Sequence, residues 1–238
     1  MSAEASRADD SQYYTTNRAT FIADFGQTRK AVRDYVSSRS SAEIAEEICK
    51  EAAERFQELL PNLPYVGGDI NPGTKFVLLA CQWLTVFKSM EQRKYGAPEV
   101  GRMMLEIMEA ELNRMPEEEV EMQRALTFDK HYIDLVKDWT SQTPIFKNDW
   151  SADVVEGDGE TFDYGIDYRS CPCLELFKAH NAEQFAPYYC LLDLPEAKLM
   201  KRGLFRTKTL AKGDDVCNFR YKKGKEDLQD WRIEINKL

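Results

Sequence analysis

Cys171, Cys190, Asp193 and Cys217 fall within residues 157–224, a stretch holding four of the six cysteines and one of the two histidines. A thiolate is a nucleophile and a metal ligand, and its pKa falls when the sulfur lies at a helix N-terminus. Cys171 precedes Pro172, a residue at home in the first helical position, so the spacing predicts Cys171 as an N-cap. Cys190 follows Pro187 by three residues and is expected in a first helical turn, with Asp193 three residues on along the same helical face. In the last alternating run Cys217, Phe219 and Tyr221 share one strand face, opposite Val216, Asn218 and Arg220. The apolar face is the one to bury, which carries Cys217 inward. Three thiols and a carboxylate at such positions can converge into a nucleophile with a proton shuttle.

The same residues have blander uses. Free cysteine is among the most buried residue types, so each cysteine alone is more often packing than chemistry. Cys49 and Cys173 read as structural and Cys81 as core of a helix. Three thiols and a carboxylate could also hold zinc, but no CxxC pair occurs, and Cys171 and Cys173 have one residue between them. The reading is therefore a site with no metal and no cofactor. His180 could serve a thiol as a base, yet no periodicity turns it toward the cysteines. His131 has no second His or Cys at ligand spacing.

A chain of 238 residues can bury a core without disulfide or metal staples. Its first twenty residues include acids and no apolar run, and nowhere do 18 apolar residues follow one another, so neither a secretory signal nor a membrane span is expected. The cysteines then read as reduced thiols of a cytoplasmic protein. A net charge of −9 argues against nucleic acid as partner. Residues 196–225 run the other way, with ten Lys or Arg against three acids. That is a solvated strand face or a means of steering a small anion. The expected partner on that reading is a small anionic molecule, and self-association into a homo-oligomer is left open.

The elements that must position these residues follow from punctuation and period. Residues 1–16 carry no apolar period and are expected to be a disordered tail. A helix is expected over 21–36, weakened by Gly26. Ser40 and Glu43 form a capping box opening a second, with Ile48, Ala52 and Phe56 at helical spacing. After the LPNLPYVGGDINPG loop, Asn71 and Pro72 are expected to start a third helix with Phe76, Leu79, Trp83, Val86 and Phe87 inward. A methionine stripe, Met103, Met104 and Met108, marks a fourth helix. Val120 to Trp139 reads as a fifth, entered through Glu117, Glu118 and Glu119, which suit its positive end. Near residue 145 the period changes from 3.6 to 2. The fold class expected is α+β: a helical part, 17–144, packed on an antiparallel sheet with helices, 145–238, in the order β-β-α-α-β-β. The strands are expected near 150–156, 162–169, 204–211 and 215–223, the helices over 172–184 and 187–202.

Asp167-Tyr168 followed by Cys171-Pro172, then Pro187, Cys190 and Asp193, then RTKTLAKGDDVCNFR from Arg206 to Arg220, resemble in order and spacing the L-2-amino-thiazoline-4-carboxylic acid hydrolase family. The resemblance reaches more loosely to LPYVGGDINPGTKF and covers neither the first sixteen residues nor the last dozen. It implies hydrolytic opening of a small carboxylated heterocycle, a cyclic amidine or thioimidate. Cys171, Cys190, Asp193 and Cys217 would be catalytic; Arg206, Asp167 and Tyr164 would bind substrate. The competing class is a small-molecule-binding module without turnover. The order of helix, PxxC and late cysteine strand also distantly resembles the binding domains named for vinyl reductases, whose clustered cysteines hold zinc.

Overall fold

The computed structural model describes residues 12–225 and 229–238. The tail expected over residues 1–16 gives way to structure earlier than that. Tyr13–Thr16 form a helical turn, α1, and Tyr14 is buried with its hydroxyl donating to the Pro64 carbonyl at 2.9 Å. Two tyrosines in a polar run carry no period, yet one buried ring is enough to pin the segment. Residues 1–11 lie outside the described residues.

Five further helices follow: α2 (Arg18–Ser37), α3 (Ala42–Leu59), α4 (Thr74–Glu91), α5 (Ala97–Leu112) and α6 (Glu117–Thr127), then α7 (Lys130–Gln142). Strands β1 (Ser151–Glu156) and β2 (Tyr164–Ser170) precede α8 (Pro172–Ala179), α9 (Ala186–Cys190) and α10 (Asp193–Leu199). β3 (Cys217–Tyr221) and α11 (Trp231–Glu234) close the chain. The architecture is α+β, mostly helical with one three-stranded antiparallel sheet ordered β1-β2-β3.

The chain divides into two compact units that interleave in sequence. Among the described residues, one holds the chain up to Ile107 with Ile145–Asp149 and Pro172–Phe185; the other holds Met108–Pro144, Trp150–Cys171 and Ala186–Leu238. A single cut near residue 145, expected from the change of period, does not reproduce this division. Period reports local structure, whereas a compact unit is assembled from distant segments.

In the first unit α4 packs with α2, α3 and α8. Trp83, Leu84, Val86 and Phe87 are all buried, so α4 is covered on nearly every side rather than along one stripe. The single inward face expected for it therefore misplaces Phe76, which is 40% exposed, while Val77 next to it is fully buried. The polar groups on such a helix must be satisfied internally: Thr85 donates to the Gln82 carbonyl, Ser89 to the Thr85 carbonyl, and Gln82 Oε1 accepts from Thr28 at 2.7 Å. α3 is capped one residue later than the expected box, by Ser41, whose oxygen accepts from the Ile44 amide at 3.2 Å. Asn71 does not cap α4 directly. It is buried inside the preceding turn, accepting from the Gly73 amide and donating to the Val66 carbonyl and to Asp149. Gly67 takes φ +122°, and a Cβ there would meet the Phe146 ring at 2.5 Å, so the paired glycines are explained by backbone conformation and close packing.

In the second unit the expected fifth helix is two, α6 and α7. Asp129 ends the first and caps the second, accepting from the His131 and Tyr132 amides. Met122, Leu126 and Tyr132 are exposed, so the apolar positions from Val120 to Trp139 do not form one buried stripe.

Candidate functional site

The register of the sheet decides which side chains can meet. Tyr164 lies opposite Tyr221, Ile166 opposite Phe219 and Tyr168 opposite Cys217. Directly opposed residues share a face, so Tyr164, Tyr168, Cys217, Phe219 and Tyr221 form one aromatic face. Tyr164 and Tyr221 stack with centroids 4.9 Å apart, and Tyr168 meets Phe219 edge-on at 5.4 Å. Asp167 belongs to the other face, opposite Asn218, where its carboxylate accepts from Arg220 at 2.7 Å. Asp167 and Tyr164, both expected to bind substrate, are thus on opposite sides of one strand. Tyr164 is buried and its hydroxyl donates to the Thr127 carbonyl. Asp167 stabilises the sheet and Tyr164 anchors it to the C-terminal end of α6.

The segment expected as a strand over 204–211 is shorter. It touches β3 at one bridge, Phe205 to Arg220, and then leaves the sheet through a 3-10 turn, Leu210–Lys212. Its motif residues have definite uses. Thr207 and Lys208 amides both donate to Asn218 Oδ1, whose nitrogen donates back to Thr207. The Leu210 amide donates to Cys217 Sγ at 3.2 Å. Gly213 ends the turn in the left-handed region at φ +89°. Arg206, one step past the bridge, lies opposite Phe219 with its guanidinium 5.0 Å from that ring.

Arg206 is 6% exposed and already committed. It donates to Asp193 Oδ2 at 2.5 Å and to the carbonyl of Cys190, and its own amide donates to Gln229. The expectation that it would hold a substrate carboxylate is corrected by these contacts: its donors are engaged by the protein. The helical reading of Cys190 is corrected as well. A single helix over 187–202 would place Pro195 in its interior, where the ring clashes and the N–H is missing. The chain instead ends α9 at Cys190, turns, and starts α10 at Asp193, with Pro195 in its first turn. Cys190 therefore sits at a helix C-terminus, which does not favour a thiolate.

The electrostatics follow. Burial pushes the Cys190 thiol well above its usual range; Arg206 pulls down, while Cys171, Asp193 and Cys217 push further up. Burial also lifts Cys217, to about 11, against the Leu210 amide. Burial raises the Asp193 carboxyl above the ordinary carboxylate value, with Arg206 opposing. Tyr168 is raised by burial and by Asp193. The charges of Arg206, Cys171, Asp193 and Cys217 thus all act on the Cys190 thiol. Cys171 is the residue immediately before α8, as the spacing predicts. His131 is exposed, and His180 belongs to the other unit.

Among the described residues no group of three or more His, Cys, Asp and Glu has the geometry to hold a metal ion, and no helix is long and apolar enough to cross a membrane. Tyr168 carries no signal in the sequence beyond its place in the Asp167-Tyr168 motif, and Arg202 none beyond the basic stretch over 196–225.

A family model for L-2-amino-thiazoline-4-carboxylic acid hydrolase matches residues 84–221, more than half of the chain. The chain belongs to that family. The match covers β1, β2, β3 and every residue of the cluster from Cys171 to Cys217. No curated protein and no solved structure matches the chain.

Proposed function

We propose that the protein is a hydrolase that opens a small carboxylated heterocycle of the cyclic amidine or thiazoline type, with Asp193 as the group that moves protons. The family supports the reaction class. The observation that carries the site is the Asp193–Arg206 contact, one oxygen of a partly buried carboxylate held at 2.5 Å by a buried guanidinium. Such a contact fixes the carboxylate's orientation and keeps it ionised against desolvation. Its side chain remains 40% exposed, so water reaches the group.

In this mechanism Asp193 accepts a proton from water as the water oxygen attacks the ring carbon between nitrogen and sulfur. The tetrahedral intermediate collapses with loss of one ring bond, and Asp193 returns the proton to the departing nitrogen or sulfur. One water is added and the carboxylate is regenerated. The thiols Cys190 and Cys217 stay protonated near neutral pH because burial raises both, so neither is the attacking group. They border the carboxylate as weak donors and as packing.

Incubation with 2-amino-thiazoline-4-carboxylate, followed by mass spectrometry, tests the reading. A product one water heavier supports it, and thiol titration assigns the bond: free thiol marks C–S cleavage, its absence C–N cleavage. Asp193→Asn is expected to lower kcat by about a thousandfold, Cys190→Ser and Cys217→Ser by less than tenfold. Loss of activity in a cysteine variant with Asp193→Asn still active would transfer the attack to a thiol. A ligand that raises Tm without turnover would make the protein a binding module.

A further inference from the structure

The substrate class above carries a carboxylate, and the arginine whose motif position suggested that role is consumed by Asp193 and Cys190. A second guanidinium reaches the same aromatic face. The bridge sets Phe205 opposite Arg220, so Arg206 falls toward the other face, and Arg202 lies four residues earlier, before the left-handed turn at Gly203. The Lys222 amide donates to the Arg202 carbonyl at 3.2 Å, which holds this residue beside the end of β3. Gly203 makes that approach possible: at φ +56° its absent Cβ would lie 2.1 Å from the Lys222 carbonyl.

We propose that Arg202 binds the carboxylate of the substrate, resting on the hydrolase reading above, and so orients the ring toward Asp193. Among the described residues its one ion pair is to Glu196 at 3.2 Å, where the carboxylate is about a third exposed. Nε is buried and has no hydrogen-bond partner among the described residues. A buried guanidinium N–H without an acceptor carries a desolvation cost that a bound anion relieves. The edge formed by Nε and a terminal nitrogen is the edge that takes a carboxylate in two parallel bonds. Its electrostatic neighbours are Tyr132, Tyr164 and Tyr221, with Glu196. Tyr164 has spent its hydroxyl on Thr127, so Arg202 is the cation in this group that can still take a ligand. Its charge also acts on Asp193, lowering that carboxyl's pKa.

Arg202→Met and Arg202→Lys are compared with the wild type on 2-amino-thiazoline-4-carboxylate and on its uncharged methyl ester, by kinetics and by calorimetric binding. Arg202→Met is expected to raise KM for the acid at least thirtyfold with kcat within threefold, and to leave the ester unchanged, because a remote charge contact is uniform binding. Arg202→Lys is expected to recover only part of the loss, since an ammonium lacks the two-pronged edge. Equal losses for acid and ester, or acid binding as tight in Arg202→Met as in the wild type, would overturn the proposal. If the wild type binds the acid without turnover, the hydrolase reading fails alone, and loss of that binding in Arg202→Met still upholds the role of Arg202. If the wild type binds neither compound, both fail.

Discussion

The cysteines of the two units are one residue type put to opposite uses. Cys81, in the middle of α4, is fully buried, and burial alone pushes its thiol up. Cys49 is buried too and donates to the Arg29 carbonyl at 3.2 Å. Cys190 and Cys217, in the unit built on the sheet, are raised by burial as well, but their thiols also feel a guanidinium, a carboxylate and each other. Cys81 behaves as a small hydrophobe within a helical core, whereas Cys49 is raised by burial with Arg33, Glu46, Arg29 and Asp34 also acting on its thiol. Cys190 and Cys217 differ from both in that the same guanidinium and the same carboxylate, Arg206 and Asp193, act on each. The difference shows that a free cysteine becomes informative through charged neighbours it shares with another, not through its depth.

Four measurements break or sharpen this contrast. The largest effect is expected from Phe56→Ala, which empties a fully buried site between helices of the first unit. It should cost about 3–5 kcal/mol in urea unfolding. Next is Arg206→Met, which strands the Asp193 carboxylate and the Cys190 carbonyl; about 3 kcal/mol is expected, at the low end because Asp193 is partly exposed. An effect below about 1 kcal/mol would mean that this contact is no more than a surface pair. The surface standard is Arg93, whose guanidinium meets Glu47 and Glu51; Arg93→Ala should cost about 1 kcal/mol or less.

The third measurement uses pH. The Cys217 thiol is raised from 9.0 to about 11, so the folded state holds its proton where the unfolded chain has lost it. Its contribution is complete below pH 9 and is lost as the pH rises through 11, by an amount on the order of 2–3 kcal/mol. Buried Tyr164 and half-buried Tyr168 and Tyr221 add to the same slope because their phenols are raised as well. Comparing unfolding of the wild type and Cys217→Ser between pH 8 and 11 isolates the thiol's share, and identical slopes would remove it. The smallest effect separates the cysteines directly. Cys81→Ser puts a hydroxyl into an apolar site and should cost about 1–3 kcal/mol, while Cys190→Ser, half-buried beside polar groups, should cost less than about 1.

Much of the molecule was written in local signals. The periods gave the helices around Ile48 and Trp83, alternation gave three strands, and the α+β class followed from the order of the two. The family was legible because the cysteines, the Asp and the RTKTL and CNFR runs lie in one order within a short span. Even some errors were correctable from the chain: Pro195 forbids one helix through Cys190 and Asp193, and strand alternation forbids Asp167 and Tyr164 from sharing a face.

What the sequence could not decide is which charges would find each other. Arg202 and Arg206 are four residues apart on one short edge segment and look interchangeable. Only the folded chain spends one guanidinium on Asp193 and the Cys190 carbonyl and leaves the buried Nε of the other without a partner. The same holds for the thiols, whose pKa depends on burial and on partners that approach from α9, α10 and β3. A helix or strand is set by interactions within a few residues, so its pattern survives in the linear chain. An ion pair and a desolvation energy depend on distance in space and on solvent excluded by distant segments, and these exist only once the tertiary structure has formed.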